Sequence, residues 1–242
     1  RDYSHPSIIG WCGLNETWDN LKDQIRPLDD ATRALFLAAK AMDTTRPILD
    51  ASGYSHRVLE TDIYDSHDYE QDPKKFAANH KGLAKGKPFR NDSKKRPWSL
   101  PYRGQPYFVS EFGGIWWNPK LKKSDKKRRN SWGYGKQIKT IKEFYERFDG
   151  LCSALLDNPH MFGYCYTQLT DVYQEENGIY DFNRRPKFDI ERVRRIQQRP
   201  AAIEELHAET AQSDAETKSK KLLLEPEHRD FHPAVAEAGV EA

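Results

Sequence analysis

The chain has 242 residues, of which 37% are hydrophobic and 12% aromatic, enough to bury one sizeable core. Charged residues make up 31% of the sequence and leave a net charge of +2, so the overall charge gives no reason to expect nucleic acid or an anionic membrane as a partner. The longest apolar run falls well short of the roughly 18 residues that a membrane-spanning helix needs. We therefore predict no nucleic-acid partner and no membrane partner.

Three cysteines, Cys12, Cys152 and Cys165, all lie within apolar stretches. Their odd number and irregular spacing argue against a disulfide framework and against a zinc site, so we interpret all three as packing residues. Unpaired cysteines slightly favour the cytoplasm, although the sequence leaves the compartment open. Because the chain starts at Arg1 inside a motif described below, we expect its natural start to be missing. No metal site and no cofactor is predicted.

Five strand candidates alternate with helical patterns along the chain. Asp29 and Asp30 precede a predicted helix that reaches Met42 and has Leu35 on its apolar face. Apolar residues at helical spacing over 138–156 predict the clearest amphipathic helix. Such alternation predicts an α/β fold with parallel strands. The strand candidates are residues 8–16, 47–51, 61–67, 106–114 and 161–166.

Two glutamates, Glu16 and Glu111, each close one of these strands. Position alone is weak evidence, because acidic residues at loop starts are commonly solvated or cap a helix. The two lie about 95 residues apart, and a (β/α)8 barrel uses about 31 residues for each strand and helix, so about three such units separate them. Both carboxylates would then face the same barrel mouth, where two carboxyl groups about 5 to 5.5 Å apart make a retaining glycosidase.

Three motifs around these residues resemble glycoside hydrolase family 2, the group of β-galactosidases, β-glucuronidases and β-mannosidases. HPSII at residues 5–9, with Trp11 and NE at residues 15–16, resembles the acid/base strand of that family. SEFGG at residues 110–114 resembles its nucleophile strand. The resemblance covers residues 1 to about 205. Its third motif, which resembles the last barrel strand and the loop that follows, consists of residues 166–171, 177–180 and 185–187.

This resemblance implies that residues 1–207 are the C-terminal part of a catalytic (β/α)8 TIM barrel, with the five candidates as strands four to eight. Strands one to three would be absent, as would the β-sandwich domains that precede the barrel in full-length relatives. Five strands cannot close the ring, so we expect an unpaired sheet edge and the missing half of the barrel and the β-sandwich domains as partners. Residues 208–242 are predicted to form a charged, disordered tail, with a short docking helix around residues 222–224 as the alternative.

The same resemblance implies roles for side chains. Glu16 would be the acid/base and Glu111 the nucleophile of a double displacement through a covalent glycosyl-enzyme intermediate. Asn15 would bind the sugar 2-hydroxyl, unless it only caps its loop. Tyr69 would donate its hydroxyl to the nucleophile. His67 is a rival for substrate binding on the same strand end, with a purely structural histidine as the alternative.

Further side chains are predicted to line the pocket mouth. Trp116 and Trp117 follow the nucleophile closely enough to stack on a sugar ring, although either could equally be a core residue. Gln168 and Asp171, after the last strand, are candidates for binding sugar hydroxyls. Tyr166 stands where many relatives have tryptophan, which leaves the sugar platform open.

The loop after the last strand bears on the substrate. Relatives that cleave glucuronides hold the uronate with an Asn-x-Lys pair there, whereas this chain has QEENG at residues 174–178. Glu175 and Glu176 would repel a uronate, so we predict a neutral, β-galactoside-like glycoside or oligosaccharide. The basic runs 81–96 and 120–129 are expected to form a solvated rim, with attraction of an anionic glycan as the alternative.

Three functions therefore remain in view. The first is a retaining β-glycosidase that needs no cofactor. The second is a catalytically incomplete fragment that binds carbohydrate or depends on a partner chain, because half of the barrel would be missing. The third is a binding protein that acts through its basic loops, for which the sequence offers little because no aromatic residues are interleaved with the basic ones.

Overall fold

The computed structural model describes residues 1–19, 26–92, 97–118 and 131–206. Arg1–Glu204 forms one compact unit and Glu205–Ala242 a second, of which only the first two residues are described. The predicted tail at 208–242, with its candidate docking helix, lies outside the described residues. So do the whole basic run 120–129 and the end of the run 81–96. Within the described ranges, no helix is long and apolar enough to cross a membrane.

Strands and helices alternate through the described ranges, as the sequence predicts, except that the third strand follows the second with no helix between them. A 3-10 turn at Leu83–Lys85 separates the second helix from the fourth strand. In chain order the elements are β1 (Trp11–Cys12), α1 (Pro27–Met42), β2 (Ile48–Leu49), β3 (Tyr64–Asp68), α2 (Pro73–His80), β4 (Tyr107–Gly113), α3 (Ile141–Leu156), β5 (Met161–Thr167) and α4 (Ile190–Gln197).

The five strands form two sheets, in which every strand ladder is parallel. β1 pairs with β2, and β3, β4 and β5 lie side by side in chain order. The predicted α/β fold with parallel strands is therefore confirmed, whereas no closed barrel is present in the described part of the chain. The prediction of a strand over residues 8–16 is wrong for most of its length. Only Trp11 and Cys12 join a ladder, and an isolated parallel bridge between Asn15 and Ser52 resumes the pairing before the chain turns at Glu16, whose φ is 49°.

Polar side chains connect β2 to β3, where no ladder joins these two strands among the described residues. The Asp62 carboxylate accepts the backbone N–H of Ile48 at 2.8 Å, and the Thr61 hydroxyl accepts that of Asp50 at 3.2 Å. Asp62 N–H in turn donates to the Ile48 carbonyl at 3.1 Å. These bonds satisfy backbone groups that a strand partner would otherwise satisfy. They also hold the loop after β2 against β3.

The main core lies between α3 and the sheet of β3, β4 and β5. Thr140 caps α3 by accepting the N–H of Glu143 at 3.1 Å, so the helix predicted over 138–156 begins at Ile141. Phe144 stacks on Phe188 with ring centroids 3.5 Å apart. Full burial of each large apolar side chain contributes ~1.5–3 kcal/mol. The buried residues of α3 are Phe144, Tyr145, Phe148, Leu151, Cys152, Leu155 and Leu156.

The buried face of α1 differs from the sequence prediction. The helix buries Thr32 and Phe36, whereas Leu35 and Met42 are exposed. Phe36 packs with Ile48 of β2 in a small second cluster, and this contact selects the buried face. Since β1 and β2 are only two residues long, they cover a narrow strip of the helix.

Two helices escaped prediction although their start signals are present. Asp72 caps α2 and Asp189 caps α4, and Pro73 occupies the first turn of α2. The interpretation of all three cysteines as packing residues also fails in part. Cys152 is buried in α3, but Cys12 and Cys165 are exposed because they lie on strands at the edges of their sheets.

Candidate active site

Glu111 lies near the carboxyl end of β4, where the ladder is irregular on both sides. Its register partner on β3 is His67, and the β3–β4 register shifts between Ser66 and His67. The β4–β5 register shifts between Val109 and Phe112. Irregularities of this kind re-aim side chains and are common beside active sites. Here they place the Glu111 carboxylate alongside the imidazole of His67.

Glu16 reaches the same place from a turn beyond β1. Its left-handed backbone, with φ of 49°, costs a non-glycine residue about 1–2 kcal/mol. Glu16 N–H donates to the Ser52 carbonyl at 2.9 Å, and Ser52 N–H donates to the Leu14 carbonyl at 2.8 Å. The loop after β2 therefore fixes the position of this glutamate.

His67 brings the two carboxylates together. Its Nδ1 lies 2.9 Å from Glu16 Oε1 and 3.4 Å from Glu111 Oε2. The imidazole is buried, whereas 32% of the Glu16 side chain and 26% of the Glu111 side chain are exposed. A ligand that approaches from solvent can therefore reach both carboxylates, while the histidine lies behind them.

Tyr69 holds the Glu111 carboxylate by donating its hydroxyl hydrogen to Oε2. Burial raises the pKa of Glu111, while the Tyr69 hydrogen bond and the nearby His67 lower it. Burial, followed by the hydrogen bond to Glu111, raises the pKa of Tyr69 far above its ordinary value, so the phenol remains a donor. Its ring stacks on Tyr134, with centroids 3.3 Å apart and planes within 1°.

The nitrogen and oxygen atoms of Glu16, His67 and Glu111 lie within 4.8 Å of one another, a span that a metal ion would also tolerate. Nδ1 of His67 also stands at hydrogen-bond distance from Glu16 and close to Glu111, so a proton can be shared at this point. The chemistry available to such a group is proton transfer by one carboxyl and nucleophilic attack by the other.

Tyr54, which the sequence did not single out, stands beside the pair. Tyr54 presents its ring at 5.8 Å to the edge of the His67 imidazole and lies 5.4 Å from the exposed Trp18 and 5.8 Å from Trp98. Asn15 is exposed and bridges to Ser52 next to Glu16. The position of Tyr54 just after β2, at a strand's carboxyl end, is the signal that could have identified it. Tyr134 gave no such signal.

The two predicted tryptophans are both half-buried. Trp116 donates its indole N–H to the Ser131 hydroxyl at 3.0 Å, and Ser131 donates to the Glu176 carboxylate. Trp117 packs against the main core and lines a cavity of about 480 Å³, together with Asp171 and other residues of the loop after β5. Stacking on a sugar ring stays a prediction for both.

Gln168 and Asp171 are engaged in building the loop after β5. Gln168 donates its amide to Asn177 at 2.8 Å. Asp171 is buried and accepts the Lys187 ammonium at 2.7 Å and the Gly178 N–H at 2.8 Å. Burial raises the pKa of Asp171, against the opposing effect of Lys187. The structure thus joins Glu16, His67, Tyr69 and Glu111 directly and places these two in a neighbouring network.

A second histidine, His56, is buried between two aspartates, one of which lies on β3 two residues before His67. His56 Nδ1 lies 2.8 Å from Asp50 Oδ1, and its Nε2 lies 3.1 Å from Asp65 Oδ1. Burial alone would lower the pKa of His56, but hydrogen bonds to both carboxylates and their charges outweigh it and raise this pKa to about 10. Asp50 also accepts the backbone N–H groups of Arg57 and Val58. His56 is therefore a buried cation in neutral solution.

We expect the stability of the protein to fall as the pH rises from about 6.5, the ordinary histidine pKa, toward about 10, the folded pKa of His56. Over this interval the unfolded histidine loses its proton while the folded one retains it, so the stabilisation is complete only below about pH 6.5. His56→Gln should cost about 3–5 kcal/mol at neutral pH because it leaves buried carboxylates without their cation. Urea unfolding across this pH range measures both effects.

The matched control is the exposed His160, where His160→Gln should leave the stability and its pH dependence nearly unchanged. If His56→Gln retained the full decline between neutral and alkaline pH, the buried cation would not be its cause.

No protein-family model matches the sequence, and a comparison with curated proteins finds no match. Among solved structures, the fold is similar to a β-D-glucuronidase of Dictyoglomus thermophilum, with a TM-score of 0.52 and 19% identity over 83% of this chain and 34% of that one. A family 2 β-galacturonidase of Eisenbergiella tayi bound to galacturonate gives a TM-score of 0.51 and 17% identity, over 81% and 34% of the two chains. A β-glucuronidase of Lactobacillus rhamnosus gives 0.51 and 20%, over 84% and 34%.

At these low identities the similarity shows a shared fold. The chain spans about a third of the length of the structures that it matches.

Proposed function

We propose that this chain is the catalytic portion of a retaining β-glycosidase of glycoside hydrolase family 2, folded as strands four to eight of a TIM barrel. The observation that carries the proposal is the meeting of Glu16 and Glu111 at one nitrogen of His67, with an oxygen of each within 4.8 Å of the other. Retaining enzymes place their carboxyl groups about 5 to 5.5 Å apart. The fold shared with three glycosidase structures supports the same family.

The geometry supports a division of labour between the two carboxyls. In the first step Glu111 bonds to the anomeric carbon while the bond to the leaving oxygen breaks, and Glu16 gives its proton to that oxygen. In the second step Glu16 takes a proton from water, the water oxygen attacks the same carbon, and the bond to Glu111 breaks with its electron pair returning to the carboxylate. The Tyr69 hydroxyl on Oε2 orients Glu111 and leaves Oε1 for the attack.

For the substrate we propose a neutral β-linked sugar of the β-galactoside kind. The loop after β5 carries Glu175 and Glu176, which would repel a uronate. Lys187, a cation held against the same loop, is already neutralised by Asp171 at 2.7 Å. The relatives named above are glucuronidases and a galacturonidase, so the sugar carboxylate is the point at which this chain is proposed to differ from them.

The test is covalent labelling. A 2-deoxy-2-fluoro-β-galactosyl fluoride should add one sugar to Glu111, because the fluorine at C2 slows both steps and the good leaving group restores only the first. Intact-mass and peptide mass spectrometry locate the adduct. The matched glucuronyl fluoride should label more slowly, and Glu111→Gln should remain unlabelled. A sugar attached to another residue would overturn the assignment of the nucleophile.

A second candidate, a fragment that needs a partner chain, is favoured by the open edge at β1. There Ile9 is 75% exposed and Met42 is 80% exposed, and large apolar side chains left in water commonly mark an interface. The chain also spans only about a third of its structural relatives. Labelling absent in this chain but present in a longer chain that supplies three further strand–helix units would select this candidate.

A further inference from the structure

The imidazole of His67 has a second hydrogen-bond partner, the half-buried Ser52, on the side away from the glutamates. Its Nε2 lies 3.0 Å from the Ser52 hydroxyl oxygen. Ser52 lies 3.2 Å from the Ser110 hydroxyl, which donates to the Asp65 carboxylate. A continuous row of hydrogen bonds, the hydroxyl chain of Ser52 and Ser110, therefore links His67 to Asp65.

Asp65 fixes the direction in which each hydrogen bond of the hydroxyl chain runs from donor to acceptor. Both oxygens of Asp65 accept the Gly53 N–H at 3.0 Å, and His56 Nε2 lies 3.1 Å from Oδ1, so donors converge on this side chain and its oxygens act as acceptors. Ser110 has one hydrogen, and it must go to Asp65 or to the Ser66 carbonyl at 3.4 Å, which is also only an acceptor.

Since Ser110 donates its hydrogen to one of these acceptors, Ser52 must be the donor in the hydrogen bond between the two serines. Ser52 then has only a lone pair to offer to His67. The Nε2 atom of His67 must carry a hydrogen for the 3.0 Å contact to be a hydrogen bond.

The hydrogen on Nε2 determines how Nδ1, on the other side of the ring, can bond to the glutamates. With Nε2 protonated, a neutral imidazole would turn the bare lone pair of Nδ1 toward Glu16 Oε1 at 2.9 Å and Glu111 Oε2 at 3.4 Å. Two acceptors at hydrogen-bond distance repel each other unless a proton lies between them. One additional proton is therefore held between Nδ1 and Glu16, whichever of the two atoms carries it.

The imidazole cannot easily turn away from this arrangement. A side chain at Gly53, whose φ is 67°, would lie 2.7 Å from the His67 ring, so the backbone of the loop is pressed against the imidazole. Asn91 clamps the backbone of the same residue, accepting the His67 N–H at 2.8 Å and donating to its carbonyl at 2.7 Å. The other titratable groups that face the ring are Tyr54 and Tyr69.

We propose that His67 is a positioning residue for the acid/base, which the hydroxyl chain forces to share a proton with Glu16, so that Glu16 stands ready to protonate a leaving group. This inference rests on the proposed glycosidase function. During the first step the shared proton passes from Glu16 to the leaving oxygen, and the glutamate and imidazole together are left with one proton fewer. In the second step the proton taken from water restores the pair, so the proton count closes over one turnover.

The proposal predicts a defined change in Ser52→Ala. Removing the hydroxyl takes away the acceptor of Nε2–H. Once Glu16 and His67 have lost their shared proton, the imidazole can then be neutral with its hydrogen on Nδ1, which it donates to the Glu16 carboxylate. Loss of the shared proton becomes easier, and the alkaline limb of kcat/KM should move to lower pH by about one unit, the equivalent of one hydrogen bond. The control is Ser66→Ala. It removes a buried hydroxyl on β3 that bonds to Tyr107, and it should leave the alkaline limb of kcat/KM in place.

A spectroscopic measurement on the full chain keeps this test independent of turnover. Nitrogen-15 NMR of histidine-labelled protein, with His67 assigned by comparison with His67→Gln, should show Nε2 of His67 protonated in the wild type. The Nδ1–H tautomer should appear in Ser52→Ala at high pH, and Ser52→Thr should restore the wild-type pattern.

A wild-type His67 with a bare Nε2, or a Ser52→Ala spectrum and alkaline limb identical to those of the wild type, would overturn the proposal. Failure of the fluoro-sugar to label Glu111 would instead overturn the glycosidase function, so the two failures are distinguishable.

Discussion

Replacing Glu111 with glutamine is expected to lower kcat/KM for an aryl β-glycoside by ~10⁴-fold or more, at the upper end of what one positioned catalytic group supplies. The amide is a poor nucleophile, so no glycosyl-enzyme intermediate can form. Glutamine keeps the size of the side chain and can still accept the Tyr69 hydroxyl, which limits any structural change. Steady-state kinetics of the purified variant measure the loss.

The matched control for this change is Glu70→Gln. Glu70 follows Tyr69 at the same end of β3, is half-buried, and accepts the N–H of Asp72 in a local turn. It should retain turnover within about twofold, because its carboxylate is engaged in that turn and glutamine keeps the acceptor oxygen. If Glu111→Gln kept more than a tenth of the wild-type rate, Glu111 could not be the nucleophile.

Replacing Glu16 with alanine should lower the rate by about 10²–10⁴-fold for substrates with poor leaving groups, the usual contribution of a general acid. Activated aryl glycosides, whose leaving oxygens need no proton, should lose much less in the first step. Azide added to the solution should restore turnover, because the small anion occupies the space of the lost carboxylate and attacks the intermediate without a base. The product to measure is the β-glycosyl azide.

Equal losses on alkyl and dinitrophenyl glycosides would remove Glu16 from the acid/base role. A variant that azide does not rescue would do the same for its part in the second step. Asn15→Ala is a useful companion, because it changes the neighbouring exposed residue and leaves the carboxylate in place.

The sequence was informative where a pattern has a local cause. Apolar periodicity predicts the strands β4 and β5, the helix α3 and the α/β alternation. The structure has all of them. The proximity of the two glutamates follows the prediction made from their separation of about 95 residues, because about three strand–helix units of a barrel would turn both toward the same mouth. The contact from Tyr69 to Glu111 came from the family resemblance and not from any pattern in the residues.

What escaped prediction depends on contacts between residues far apart in sequence. Ser52 and Ser110 look like ordinary small polar residues, and only the bulged register beside His67 turns them into a chain of hydrogen bonds. The buried face of α1 was mispredicted for a similar reason, because its partner is a two-residue strand rather than a broad sheet. No local pattern announces that His56 lies between two aspartates.

The break between β2 and β3 has a consequence for the stereochemistry of the reaction. Glu16 follows the first sheet and Glu111 belongs to the second, so the gap between the two carboxyls is set by the seam at Asp62, Thr61 and Asp65. Parting that seam by about 2–4 Å would carry the carboxyls from the range of about 5–5.5 Å into the one of about 6.5–9.5 Å, in which water attacks directly and the anomeric centre inverts. Under the proposed glycosidase function, these three polar side chains, of which Thr61 and Asp65 are buried and Asp62 is half-buried, would thus determine which anomer is released.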